Sequence, residues 1–158
     1  MANVWFCSDL HLGQRNIAKY RGLTEEDQYE LLYKEWHSKV TKRDIVYVLG
    51  DCCFSKERLA DFSKWRGEKR LILGNHDTEH ATIKELSEVF TEIHSLRKYK
   101  NFWLSHAPLH PDELRGRINI HGHTHYHVIN DKRYINICLE QTGYKLIDIA
   151  ALKALAEM

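Results

Sequence analysis

The hydrophobic and polar positions of the first 80 residues predict strands that alternate with helices. Short apolar runs at 4–8, 45–49 and 70–73 have the length and composition of buried strands. Apolar side chains then recur at helical spacing near 25–41 and 55–66, and a third helix is predicted over 79–88. Thr24 and Ser55 precede the first two helices, where a hydroxyl satisfies free backbone N–H groups. Alternation of this kind implies right-handed crossovers and a mostly parallel sheet.

The second half of the chain has a different pattern. Short β-like segments are predicted near 93–99, 101–105, 117–121, 133–139 and 144–149, and a last helix over 150–157. These segments are expected to build a second sheet. There are no repeats and no flexible linkers, so we predict a single α/β domain over residues 1–158.

Composition narrows the class of protein. Hydrophobic residues make up 43% and charged residues 28%, as in ordinary globular proteins. The formal charge of +1 argues against broad binding along nucleic acid. There is no apolar run of membrane-spanning length and no signal peptide. The cysteines lack the spacing of a disulfide framework, so we expect a cytoplasmic protein, as monomer or small homo-oligomer, with reduced thiols at Cys7, Cys52, Cys53 and Cys138.

The chain also contains 11 histidines, and several of them follow apolar segments. Five such segments are each followed by side chains that bind metals in proteins. In open α/β sheets, sites form outside the carboxyl ends of the strands, so five such ends in one chain indicate a common site. Any one of these five segments would be weak evidence for a metal site by itself. The side chains concerned are Asp9, His11, Asp51, Asn75, His76, Asp77, His106, His123 and His125.

The combined pattern resembles the signature of the calcineurin-like metallophosphoesterases. That signature reads D-x-H, then G-D, then G-N-H-D or G-N-H-E, then H, then G-H-x-H. The matching stretches begin at Asp9, Gly50, Gly74, His106 and Gly122, so the resemblance extends over most of the chain. It implies two mixed β-sheets packed face to face as a sandwich, with helices outside.

The resemblance also implies two divalent cations. Manganese is the first expectation, with Fe, Zn, Co, Ni or Mg as alternatives, since oxygen and imidazole donors suit all of them. A hydroxide shared by the cations would attack phosphorus in line, and His76, oriented by Asp77, would assist the leaving oxygen. The implied ligands of the first cation are Asp9, His11, Asp51 and His125; those of the second are Asp51, Asn75, His106 and His123, with Asp51 as the bridge.

Four further residues are candidates for contact with substrate. Arg15 and Asn16 follow the first motif, while His80 and His110 lie a few residues from implied ligands. Similar proteins often read G-H-x-N-I where this chain has Gln14 in place of the histidine, which weakens the case for that loop. The histidines expected to serve structural or surface roles are His37, His94, His121 and His127.

The leading functional prediction is a dinuclear metal phosphoesterase that acts on a phosphodiester or a nucleotide-type substrate. The chain is too short for a large cap domain, so we expect an open site. The alternatives are a phosphomonoesterase or protein-type phosphatase, and a small nuclease. A non-catalytic scaffold ranks last, because every position of the signature is present. The expected partner is the phosphate-ester substrate. We expect neither extensive binding of nucleic acid nor a membrane partner.

Overall fold

The computed structural model describes residues 2–157, so residues 1 and 158 of the predicted domain lie outside it. The strands are β1 (Val4–Cys7), β2 (Ile45–Val48), β3 (Glu68–Ile72), β4 (Glu92–His94), β5 (Arg97–Tyr99), β6 (Phe102–Leu104), β7 (Ile118–His121), β8 (Tyr134–Asn136) and β9 (Ile147–Asp148). The α-helices are α1 (Arg15–Tyr20), α2 (Glu25–Lys39), α3 (Lys56–Ser63), α4 (Asp77–His80), α5 (Ile83–Ser87), α6 (Leu139–Thr142) and α7 (Ile149–Ala156). A 3₁₀ turn covers Pro111–Glu113.

These strands form two mixed sheets, as predicted. The first has the order β4-β3-β2-β1-β9, in which β1 to β4 run parallel and β9 is antiparallel to β1. The second has the order β5-β6-β7-β8, in which β6, β7 and β8 run parallel and β5 is antiparallel. The predicted α/β class and the pair of mixed sheets are confirmed.

Side chains that alternate along the first sheet divide between two cores. Phe6 and Tyr47 belong to a core that also contains Phe102, Leu104 and Ile120 of the second sheet. The adjacent strand residues face the other way and pack against the helices; they are Cys7, Val46 and Val48. Trp36 of α2 and Phe62 of α3 are buried in this second core. Because successive side chains of a strand point to opposite faces, short apolar runs supply both cores.

The helix predictions hold in outline and differ in detail. Thr24 and Ser55 each accept a hydrogen bond from the backbone N–H three residues later, so both predicted caps are present. The helix predicted over 79–88 is wrong as a single element, because it is divided into α4 and α5. Thr82 and Glu85 form a reciprocal capping box that starts α5. The sequence also did not predict α1, whose one buried residue is Ala18.

The eight predicted strand segments overlap all nine strands, and most of the segments are too long. The segment 93–99 is two strands, β4 and β5, which belong to different sheets. The segment 133–139 stops being a strand at Asn136, and Leu139 already begins α6. In the described part of the chain, no helix has the length and apolar character that a membrane span requires.

Candidate metal centre

The side chains predicted to bind metal follow β1, β2, β3, β6 and β7, and the two sheets bring these strand ends together. The backbone N–H of His123, after the second sheet, donates to Oδ2 of Asp9, after the first, at 2.9 Å. Backbone φ is positive at Asp9, His11, Asp51, His123 and His125, with values between 48° and 71°. Positive φ is uncommon outside glycine, and strained backbone of this kind clusters at functional sites.

Two glycines permit the close approach of these loops. A Cβ on Gly74 would lie 2.3 Å from Oδ1 of Asp51, and one on Gly122 would lie 1.9 Å from Oγ of Ser8 and 2.3 Å from Oδ2 of Asp9. Real Cβ atoms do not approach other atoms so closely. The G-N-H-D and G-H-x-H stretches therefore need glycine to bring their ligands against Asp51 and Asp9.

The inner group consists of Asp9, His11 and His125. Oδ2 of Asp9 accepts hydrogen bonds from Ser8 Oγ at 2.6 Å, from the His123 N–H and from Cys138 Sγ at 3.2 Å. Oδ1 of Asp9 lies 3.3 Å from Nε2 of His11 and 3.7 Å from Nε2 of His125. One carboxylate oxygen is thus held by the fold, and the other faces two imidazole nitrogens.

The outer group consists of Asn75, His106 and His123. Nε2 of His106 lies 3.0 Å from Oδ1 of Asn75 and 3.2 Å from Nδ1 of His123. His106 is buried, whereas Asn75 and His123 are exposed. The outer group is therefore the side of the centre that meets solvent.

Asp51 lies between the two groups. Its Oδ2 is 3.9 Å from Nε2 of His11 in the inner group and 3.3 Å from Nε2 of His106 in the outer group. Its Oδ1 accepts the backbone N–H of His76 at 3.0 Å. A single carboxylate oxygen thus faces both sets of imidazoles, which is the position that a bridging ligand would occupy.

Three of these histidines are oriented by an oxygen at Nδ1. Nδ1 of His11 lies 2.5 Å from Oε1 of Gln14, that of His106 lies 2.6 Å from the Leu49 carbonyl, and that of His125 lies 2.9 Å from Oε2 of Glu140. The oxygens accept from Nδ1 in these contacts, so Nε2 is the nitrogen that faces Asp9 and Asp51 and would face a cation there. Metal-binding histidines in proteins are oriented in this way.

The electrostatics of the centre favour positive charge. Burial alone would raise the pKa of Asp9, but the hydrogen bond with His11 and the nearby His106 hold it well below its usual range. Burial alone would lower the pKa of His106, but contact with Asp51 and the charge of Asp9 raise it to about 9. Burial alone would also raise the pKa of Asp51, but the hydrogen bond with His106 lowers it. Both carboxylates are therefore charged at neutral pH and favour a positive charge beside them.

A buried ionic network supports the inner group, and the sequence did not predict it. Arg21 donates from Nε to Oε2 of Glu140 at 2.9 Å and from Nη2 to the Asp9 carbonyl at 2.8 Å. Gln28 accepts from Nη1 of Arg21 at 2.7 Å and donates to the His11 carbonyl at 2.9 Å. Burial would raise the pKa of Glu140, yet the hydrogen bonds from His125 and Arg21 lower it to about 2. The network fixes both the backbone and an imidazole of the inner group.

The prediction that Asp77 orients His76 is wrong. Both oxygens of the buried Asp77 carboxylate accept backbone N–H groups, from Gly74 at 2.7 Å and from Asp51 and Cys52 at 3.0 Å each. Nδ1 of His76 instead lies 2.7 Å from Oε2 of Glu79. Asp77 therefore shapes the two loops that carry Asp51 and Asn75, and Glu79 is the carboxylate next to His76.

The four predicted substrate contacts have different surroundings. The ring of His80 lies 5.0 Å from that of Phe54, which also stacks on His11 at 4.6 Å and lies 5.4 Å from His76. His110 is exposed and accepts the Asp112 N–H, so it caps the 3₁₀ turn. Arg15 and Asn16 line a charged surface groove, and Gln14 just before them holds His11.

The remaining histidines and the cysteines have structural surroundings. His37 packs against Tyr33 and Trp65, His94 contacts Glu92, and the backbone carbonyl of His127 accepts hydrogen bonds from Thr124 and Asn136. His121 is buried, with Nδ1 at 2.8 Å from the Gly122 carbonyl. The cysteines are free and buried, at Cys7, Cys52, Cys53 and Cys138.

Comparisons with known proteins agree with this fold and centre. The family model described as calcineurin-like phosphoesterase matches residues 2–150. The chain is 34% identical to an uncharacterized protein of Methanocaldococcus jannaschii, over 99% of this chain and 93% of that one. It is 33% identical to the Gene 66 protein of Mycobacterium phage D29, over 82% of this chain and 81% of that one.

A solved structure also shares the fold. A protein of unknown function from Aquifex aeolicus superposes with a TM-score of 0.78 over 98% of this chain and 100% of its own, at 24% sequence identity. The fold and centre define a metal-dependent phosphoester hydrolase. The chain belongs to the calcineurin-like phosphoesterase family.

Proposed function

We propose that this protein is a phosphodiesterase that holds two divalent cations, with Asp51 as their shared ligand. The observation that carries the proposal is the position of the Asp51 carboxylate, whose Oδ2 faces Nε2 of both His11 and His106. The inner group and Asp51 would hold one cation, and the outer group and Asp51 the other. Manganese is the proposed ion, because oxygen and imidazole donors suit it without any thiolate.

The donor geometry of the outer group fits a cation. Ligands at about 2.1 Å from one ion stand roughly 3.0–3.4 Å from each other. Around Nε2 of His106, the distances to Asn75 Oδ1, His123 Nδ1 and Asp51 Oδ2 are 3.0, 3.2 and 3.3 Å. All three distances therefore match the spacing expected of ligands that share one ion.

When bound, two such cations supply Lewis acidity that activates water and neutralises charge on phosphoryl oxygens. The protein's own contribution is to hold the donors in place before substrate arrives. His76 is the proposed proton donor to the leaving oxygen. Its backbone N–H donates to Asp51 Oδ1, and its Nδ1 contacts Glu79. Because the two nitrogens of an imidazole diverge, Nε2 of His76 points away from Glu79 and is available for proton transfer.

The openness of the centre supports a diester. Asn75 and His123 are exposed, so an ester with organic groups on both sides of phosphorus can reach the outer group. A diester also carries one negative charge fewer than a monoester dianion. It therefore needs less compensating charge beyond the cations themselves.

The test is turnover of two aryl phosphates by protein prepared in Mn²⁺. We expect bis(p-nitrophenyl) phosphate, a diester, to be hydrolysed with a higher kcat/KM than p-nitrophenyl phosphate, and a chelator to abolish both reactions. A higher kcat/KM for the monoester would contradict the diester assignment. If neither substrate is hydrolysed, the proposed function is contradicted.

A further inference from the structure

A cleft of about 550 Å³ opens beside the outer group. Three of its lining residues are the outer-group side chains Asn75, His106 and His123. The other lining residues, which we call the far wall, include Leu73 just after β3, Ser95, and the segment from Ala107 to Leu109. A molecule held at the outer group would therefore extend directly into this cleft.

The far wall of the cleft is uncharged, and part of its backbone is already hydrogen-bonded. Ser105 donates to the Ala107 carbonyl at 2.6 Å, Leu109 N–H donates to Asn119 Oδ1 at 2.9 Å, and Tyr134 donates to the Leu109 carbonyl at 2.7 Å. Pro108 has no N–H. These three polar groups of the wall are thus used by the fold, and the side chains of Ala107, Pro108 and Leu109 offer apolar surface to a ligand.

The buried Asn119 fixes this wall. It is fully buried, and its amide also donates to the Trp103 carbonyl and to Ser105 Oγ. These bonds link the segment 105–109 to β6 and β7, so the wall is formed before any ligand arrives. Ligand pockets in proteins have this composition, a preformed apolar surface with a few polar groups at one end.

The cleft differs in the charge of its lining from the other large groove of the surface. The groove of about 600 Å³ near α1 is lined by Arg15, Lys19, Arg58, Glu25 and Glu26, and none of the metal-centre side chains lines it. Within residues 2–157, the lining of the cleft beside the outer group includes no Lys, Arg, Asp or Glu. Away from the outer group, a second phosphate or another charged group would find no charged side chain in this lining.

We infer that this cleft is the specificity site for the organic part of the substrate, and that it takes an uncharged cyclic group with an apolar face, such as an aryl ring. The inference rests on the proposed function, since it assumes that a phosphoryl group sits at the outer group. Burial of such a ring against Leu73, Pro108 and Leu109 supplies binding energy that is proportional to the apolar area covered.

Binding of two phosphonates to the Mn²⁺-loaded protein tests the inference without turnover. We expect phenylphosphonate to bind about tenfold more tightly than methylphosphonate in calorimetric titrations, a difference of about 1.4 kcal/mol. Equal affinities would overturn the inference and leave the proposed function intact. If neither phosphonate binds, the proposed function fails and the inference with it.

A blocking substitution locates the effect in the cleft. Ala107 is exposed, so Ala107→Trp fills the cleft without disturbing the core. We expect this variant to lose the preference for phenylphosphonate over methylphosphonate. The matched control is Ala60→Trp, the same change at an exposed alanine of α3 outside the cleft, which should keep the preference. An unchanged preference in Ala107→Trp would contradict the assignment.

Discussion

The inner group around Asp9 is buried and firmly supported, whereas the outer group around His106 opens to solvent. Asp9 and His11 are almost completely buried, and His11 and His125 each have a side-chain oxygen at Nδ1. In the outer group, Asn75 and His123 are exposed, and Nδ1 of His123 faces another imidazole instead of an orienting oxygen.

The difference indicates that the inner and outer groups have different roles. The inner group rests on the Arg21–Glu140 ion pair and on Gln28, so its donors are in place independently of any ligand. The outer group borders the neutral cleft, where an ester has room to bind. We expect changes at the inner group to alter metal affinity, and changes beside the outer group to alter turnover or choice of ligand.

The largest effect is expected where the two groups meet. Asp51→Asn removes the carboxylate charge that faces both His11 and His106. A metal centre supplies several kcal/mol of transition-state stabilisation, so kcat should fall by roughly a thousandfold. The measurement is hydrolysis of an aryl phosphodiester at saturating Mn²⁺. Asp61→Asn, the same change on the exposed side of α3, should leave kcat unchanged; near wild-type turnover by Asp51→Asn would refute the shared role.

A change beside the outer group should separate turnover from metal binding. His76→Ala keeps the backbone N–H that donates to Asp51, so both cations should bind as in the wild type. Loss of the proton donor should lower kcat by about a hundredfold. Metal analysis and kinetics on the same sample test this, with His110→Ala on the exposed 3₁₀ turn as control. Loss of metal from the His76 variant would mean that His76 is a ligand.

The smallest effect on turnover is expected at the support of the inner group. Glu140→Gln removes the charge next to His125 and leaves the buried Arg21 without its partner. Loss of such a supporting group should lower the affinity for one of the two cations by about ten- to a hundredfold. The unpaired Arg21 should also lower the free energy of unfolding by about 3 kcal/mol. Chelator competition and denaturant unfolding give both values, and Glu113→Gln is the exposed control.

Equal loss of affinity for both cations in Glu140→Gln would erase the distinction between the groups. Unchanged affinity for both would mean that the Glu140 contact does not orient His125. Either result would remove the basis for calling the inner group the supported one.

The structure brings together the side chains that the sequence predicts as ligands, because each one follows an apolar strand and a short motif. The sequence does not predict the support behind them. Arg21 and Glu140 lie 119 positions apart, and neither belongs to a motif. Arg21 directly follows α1 and Glu140 lies in α6, so only the tertiary fold brings them together. Gln14, which differs from the residue found in similar proteins, turns out to orient His11.

Local geometry explains two of the errors of detail. Asp77 is adjacent to His76 in sequence, but its carboxylate turns toward three backbone N–H groups. Glu79, three residues from His76, lies on the same side of the helical turn, as i and i+3 positions do. Thr82 and Glu85 have the spacing of a capping box, which marks the start of a new helix. The prediction of one helix over 79–88 overlooked this motif.

The most direct test of the central claim is a crystal structure of the protein in Mn²⁺, with anomalous scattering measured at the manganese edge. The account predicts two peaks per chain, one beside Asp9, His11 and His125 and one beside Asn75, His106 and His123, both in contact with the Asp51 carboxylate. A single peak, or two peaks of which only one contacts Asp51, would contradict it.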